Sequence, residues 1–218
     1  MWTLAFDTTT NFCSIILKKD DTVQSCFVSE MTFGQSEVLI PQIDDILKTN
    51  KTTPSDLNLL GVCVGPGSFT GVRSSIAAAR SFALCLPNLS VCGISAFDVY
   101  AHSIPDDQRS EQIAVIIETK REDFYVAYYD KQLKKISSPK TAFYTDIIAD
   151  LRNKSVTFAG DGAERFLSKP SGLHIHSVNF ETHPNVETLA DLAITRFHDK
   201  KLDFPKPLYL KAADVCIK

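Results

Sequence analysis

At 218 residues the chain suits one large domain or two small ones, each with room for a core. A hydrophobic content of 44% excludes a disordered polymer, and a formal net charge of −3 excludes a global positive field that would draw the chain alone to nucleic acid. Six cysteines without a Cys-x-x-Cys pair sit mostly in apolar runs, which predicts buried, reduced thiols and a cytoplasmic setting.

Residues 2–7 read as a strand that closes on a polar turn, Thr8-Thr9-Thr10-Asn11. Asp7 interrupts this stretch too early for a signal peptide, and no later run reaches membrane-spanning length. Strands over 13–19 and 22–29, joined at Asp20-Asp21, complete an antiparallel meander. Leu39, Ile43, Ile46 and Leu47 fall at helical spacing and predict a helix over 36–48, with Pro41 expected to disturb its first turns. The linker 52–56 carries cap and turn residues. A strand, a glycine loop and an alanine-rich helix over 72–86 come next, then a strand over 91–95 and a helix from Ala96.

The glycine loop organises the rest: Gly65, Pro66, Gly67, Ser68, Phe69, Thr70, Gly71, Val72, Arg73. Phosphate binding is the first reading to test. A Walker A loop needs Gly-Lys-Ser/Thr at its end, and here Val72 and Arg73 follow Gly71. The dinucleotide fingerprint needs a third glycine where Thr70 stands. Ser68 does not form a nucleophile elbow, because Gly67 immediately precedes it. A stiff strand-to-helix turn fits better, with Ser68 or Thr70 as the cap, Gly65 pushed toward extended geometry by Pro66, and Gly67 at positive φ.

Three antiparallel strands feeding two right-handed crossovers give a mixed five-stranded sheet. That order resembles half of an actin, sugar-kinase or Hsp70 ATPase molecule. The polar stretch 103–108 is the expected boundary between an N-terminal subdomain, 1–103, and a C-terminal one, 104–218. The second half reads as a shortened echo. Strands are expected over 113–118, 124–130, 135–138, 156–159 and 174–178, and helices over 144–151, after Gly160-Asp161-Gly162, and over 186–197.

Ala5 to Thr10 with Cys13-Ser14, Ser36-Glu37 with Leu39-Ile40-Pro41, the whole loop 65–73, Gly160 to Ala163 and Pro207 to Leu210 together resemble the bacterial TsaB (YeaZ) family. The resemblance runs through the whole chain in order. It implies an α/β fold of actin-like type, two subdomains each with a mixed sheet flanked by helices, the second reduced. It further implies a non-catalytic partner of a larger TsaD-like paralogue, which transfers threonylcarbamoyl to the adenosine beside the tRNA anticodon. A TsaE-like ATPase joins that assembly, tRNA is met only through it, and the lone chain self-pairs. Gln35, Glu118 and Lys211 depart from the family pattern, which bears on partner contacts more than on fold.

The chemistry expected of the residues is sparse. His102, His174, His176, His183 and His198 include no pair spaced by four, which disfavours a metalloprotease of the glycoprotease type. Asp7, Thr8 and Thr9 stand where actin-like ATPases place a first phosphate loop, and Gly160 and Gly162 weakly match an adenosine loop. The second phosphate loop would fall on 118–122, where there is no glycine. Hence no cofactor is expected of the chain itself, and ATP or ADP only weakly or at a complex interface. An autonomous ATPase or small-molecule kinase is the alternative. Leu39, Ile43, Ile46, Leu47, Ile76, Ala79, Phe82 and Ala83 lie on wide apolar helix stripes and are the expected partner interface.

Overall fold

The computed structural model describes residues 1–31 and 33–210. Lys211 and Cys216 lie outside the described residues. The first sheet is built from β1 (Trp2–Asp7), β2 (Phe12–Lys19), β3 (Thr22–Glu30), β4 (Leu57–Cys63) and β5 (Ser90–Ile94), in the order β3-β2-β1-β4-β5. The strands β1, β4 and β5 are parallel, and β2 and β3 continue the sheet antiparallel. Its helices are α1 (Gln35–Thr49), α2 (Phe69–Cys85) and α3 (Ala96–His102). Pro41 lies inside α1 on its exposed side, and the helix runs through it.

The second sheet repeats the plan. It contains β6 (Gln112–Glu118), β7 (Asp123–Tyr129), β8 (Lys140–Phe143), β9 (Ser155–Ala159) and β10 (His174–Asn179), in the order β10-β9-β6-β7-β8. Read from the third strand of each half to the fifth, the two orders are the same. The strand expected at 135–138 is instead a single bridge, Tyr129 to Lys135, and the third strand forms at Lys140–Phe143. The reduction falls on the helices: α4 (Tyr144–Leu151) and α5 (Ala163–Leu167) are short, while all five strands remain.

Central parallel strands need apolar cover on both faces, and both sheets have it. On β1, Leu4 and Phe6 point to the core under α1 and α2, while Ala5 points the other way. On β6, Ile113, Val115 and Ile117 face inward and Ala114 and Ile116 face the core under α4 and α5. Between the sheets lies a middle layer of α3 and α6 (Val186–His198), joined in one core.

Each sheet lies on one side of the 103/104 boundary, but the packing of that layer crosses it. Helix α3 precedes the boundary but packs on β6 and β7 of the second sheet, and α6 follows it but packs on β1, β2, β4 and β5 of the first. Sequence order hid this exchange because each helix has an apolar stripe that fits either sheet. Two polar anchors hold it. Asp98 at the start of α3 accepts hydrogen bonds from Tyr129 on β7 (2.8 Å) and Arg196 on α6 (2.9 Å), and pairs with Lys135 at 2.8 Å. Burial pushes its carboxyl up, but the Lys135 charge and the hydrogen bonds from Lys135, Tyr129 and Ser95 outweigh it and hold the group below the usual carboxylate range. The second anchor is Lys18 on β2, 3% exposed, whose Nζ lies 2.5 Å from Asp191 and 3.6 Å from Glu187 on α6.

A buried ammonium that loses its partner is costly, whereas replacing it by an apolar chain is not. Asp191→Ala should therefore lower the urea midpoint by the equivalent of about 1–3 kcal/mol, the half-exposed carboxylate keeping the loss below that of a fully buried pair. Adding Lys18→Met to that variant should recover most of it. An unchanged midpoint in Asp191→Ala would show that α6 is held by packing alone.

Candidate functional site

The glycine loop follows β4 and opens α2. Gly65 takes φ +90°, because glycine escapes the bias that a following proline imposes on other residues. Gly67 is not at positive φ. Its requirement is contact: a Cβ there would lie 2.3 Å from the Thr9 carbonyl oxygen, and one at Gly71 would lie 1.8 Å from that of Thr8. Ser68 N–H donates to the Thr9 carbonyl, at 2.6 Å. The α2 cap is Ser68, whose Oγ accepts from Gly71 N–H at 3.3 Å, while Thr70 lies within the helix. Arg73 is exposed, lies 3.7 Å over the Phe69 ring, and donates from Nε to Tyr209 Oη at 3.0 Å.

The loop thus presses on the first turn, and that turn is already spent. Thr9 N–H donates to Asp7 Oδ1 at 2.9 Å, and Thr8 Oγ1 donates to the Gly71 carbonyl at 2.8 Å and pairs with Ser75 Oγ at 2.7 Å. Gly160 and Gly162 do the same in the second half. A Cβ on Gly160 would meet the Ile116 carbonyl oxygen at 2.2 Å, and Gly162 N–H donates to that oxygen at 3.0 Å. The structure therefore places Asp7, Thr8, Thr9, Gly160 and Gly162 in backbone packing at the ends of β1 and β6.

Buried carboxyls gather around Tyr100 of α3 near these ends. Burial pushes Asp7 up to about 6, against hydrogen bonds from Thr9, Cys63 and Thr8. Asp161, whose Oδ1 accepts from Glu118 N–H, is pushed by burial to about 7, and Glu181 likewise to about 7. Tyr100 Oη, Asp7 Oδ2 and Glu181 Oε2 are buried without a hydrogen-bond partner. Sequence reading missed Asp161 and Glu181, since nothing local marks a carboxyl that tertiary packing will bury. Among the described residues, no group of three or more His, Cys, Asp or Glu side chains is placed to hold a metal.

The expected interface residues divide differently. Leu39, Ile43, Ile46, Leu47, Ile76 and Ala79 are buried in the core under the first sheet, and Phe82 and Ala83 are partly buried against it. The stripe taken for an open surface is the one that meets the sheet. The outward faces of the same helices, linked by Ser36 and Ser74 hydroxyls 2.7 Å apart, carry other apolar groups: Ile40 is 48% exposed and Leu84 85%, with Phe33 just before α1 at 87%. These were missed because helical spacing defines stripes without saying which one faces inward.

A family model described as TsaD, tRNA N6-adenosine threonylcarbamoyltransferase, matches residues 34–164, more than half of the chain. An Escherichia coli K12 protein named tRNA threonylcarbamoyladenosine biosynthesis protein TsaB is 28% identical, over 95% of this chain and 94% of its own length. The chain belongs to this family, in its TsaB (YeaZ) branch. YeaZ from Pseudomonas aeruginosa superposes with a TM-score of 0.82 at 21% identity, covering 96% of this chain and 99% of that one. A Bacteroides thetaiotaomicron protein described as having an actin-like ATPase fold and unknown function gives 0.50 at 11% identity, over 88% of this chain and 95% of that one. These likenesses establish the actin-like architecture. No helix among the described residues is long and apolar enough to cross a membrane.

Two outcomes follow from this packing. Gly67→Ala and Gly71→Ala should each cost about 1–3 kcal/mol of stability through overpacking, and Ser68→Ala about 1 kcal/mol through a lost cap, measured by urea unfolding. A fully stable Gly71→Ala variant would contradict the close backbone approach. The acids give a pH signature. A carboxyl whose folded pKa is raised holds its proton better folded than unfolded, so its stability contribution is full below about 4 and is lost as pH rises through about 6–7. Asp7→Asn and Asp161→Asn should therefore stabilise the chain at pH 8 and change little at pH 4.5. Equal effects at both pH values would place these carboxyls in water.

Proposed function

We propose that the chain is a non-catalytic partner subunit that supports a TsaD-like transferase in forming threonylcarbamoyladenosine in tRNA. The pathway comes from the name of the E. coli relative. The observation that carries the subunit role is the exposure of large apolar side chains on and just before α1 and α2, Phe33, Ile40 and Leu84. Exposed large apolar groups on packed helices favour a protein partner. The turn at Asp7, Thr8 and Thr9, packed under the glycine loop with its Thr9 N–H and Thr8 hydroxyl already bonded, supports a chain with no catalytic nucleotide of its own.

In this reading those groups dock the catalytic paralogue and pair two copies when the chain is alone. A TsaE-like ATPase joins the assembly, ATP or ADP is held at most where subunits meet, and the work is done in the cytoplasm. Docking acts by favouring one conformation of the partner, and only to the extent of its differential affinity for the two states.

Reconstitution with the same organism's TsaD and TsaE, tRNA, ATP and threonylcarbamoyl-adenylate tests the role, with modified adenosine counted by mass spectrometry. Omission of this chain should abolish product, and this chain alone should make none. Product from the chain alone, or undiminished product without it, overturns the reading. Ile40→Glu with Leu84→Glu should lower both self-association in sedimentation and product, with the unfolding midpoint kept within about 0.5 kcal/mol, as expected of surface changes. Ile43→Glu should instead unfold the first subdomain, because it buries an unpaired charge.

A further inference from the structure

The start of β2 is touched twice by the second half of the chain. Lys120 of the β6–β7 turn donates from Nζ to Asn11 Oδ1 at 3.3 Å. Beside it the Phe12 ring is stacked on the His183 ring, with centres 4.1 Å apart and planes 18° from parallel. His183 belongs to residues 180–185, which join β10 to α6. This connection therefore leaves the second sheet, leans on a strand of the first, and enters the helix that packs on that first sheet. Phe180 is 61% exposed, so its ring does little to hold the connection down. The Phe12–His183 stack is the contact that reaches across.

The same connection carries Glu181, whose Oε2 is buried without a hydrogen-bond partner. An ionised carboxylate needs donors, so this placement suits the neutral acid. The groups around it give little relief. Ser103 at the end of α3 and Asn179 at the end of β10 supply hydrogen bonds, and burial outweighs them, raising the carboxyl to about 7. Tyr100 of α3, its hydroxyl also buried without a partner, feels Glu181 together with Asp7 and Asp161, so no cation balances the cluster there. His183 faces Phe12, the Thr182 hydroxyl at 3.2 Å from Nδ1, and Glu30 at the end of β3. Burial holds His183 below its ordinary 6.5 against the pull of Glu30, so the ring is neutral at pH 7. Near neutrality, then, the charge that changes on this connection is that of Glu181.

We propose that residues 180–185 form a proton-operated latch: with Glu181 protonated the connection lies closed and His183 rests on Phe12, and ionisation of Glu181 draws the connection into water and releases that stack. The direction follows from linkage. A carboxyl that holds its proton at about 7 when closed and at its ordinary 4.5 when open favours the closed form fully below 4.5 and loses that effect as pH rises through about 7. Between pH 6 and 8 the closed-to-open ratio falls about tenfold. Raising the pH thereby loosens the joint between the two halves at the start of β2 without unfolding either.

Carbon-13 NMR titration of the full chain tests this, with the Glu181 carboxyl assigned from Glu181→Gln. Glu181 in the unaltered chain should titrate near 7. Linkage is reciprocal, so removing the stack must weaken the hold on the proton. Phe12→Ala and His183→Ala each leave the carboxyl and its hydrogen-bond partners in place, and each should make Glu181 at least tenfold more acidic. Phe12→Tyr still stacks and should leave it unchanged. Native amide shifts on β1 and β6 identify variants that keep the fold, and two alternative deletions of the stack guard against one that does not. Titration of Glu181 near 4.5 in the unaltered chain overturns the latch. So does the same acidity in both deletion variants, because the carboxyl would then be buried by fixed packing and not by the stack. No partner protein is needed, so these titrations stand or fall separately from the reconstitution.

Discussion

The contact on which this fold turns is backbone against backbone: the glycine loop after β4 laid directly on the first turn after β1. Gly67 and Gly71 have no side chain because the Thr9 and Thr8 carbonyls occupy the space. The contact fixes where α2 begins, and through α2 it fixes the outer layer of the first sheet. Gly160 and Gly162 set α5 on the end of β6 by the same device. A loop that in other proteins cradles phosphate is used here to bring chain segments closer than any Cβ permits.

Exchange of helices between the halves makes the two sheets interdependent. With α3 on the second sheet and α6 on the first, neither half buries its inner face without the other. Asp98 and Lys18 are placed where this exchange needs directional bonds that apolar packing does not supply. Asp7, Asp161 and Glu181 are desolvated together, and all three act electrostatically on the buried Tyr100 hydroxyl of α3. Their burial is a standing cost at neutral pH, accepted because the packing around them serves both halves.

The strands β1 and β6, the meander of β1 to β3, and a Ser68 or Thr70 cap at the start of α2 were legible in sequence, because each is decided by neighbours in the chain. So was the glycine loop as a structural turn, and the family to which its residues belong. Tertiary structure alone decided which apolar stripe of α1 and α2 faces the sheet, so that Ile43 and Ile76 became core and Ile40 and Leu84 surface. It alone crossed α3 and α6 between the halves. Helical spacing gives a stripe its shape but not its direction, and charge counted along a chain says nothing of charge gathered in space. Both are fixed only when segments far apart in sequence compete for the same sheet face.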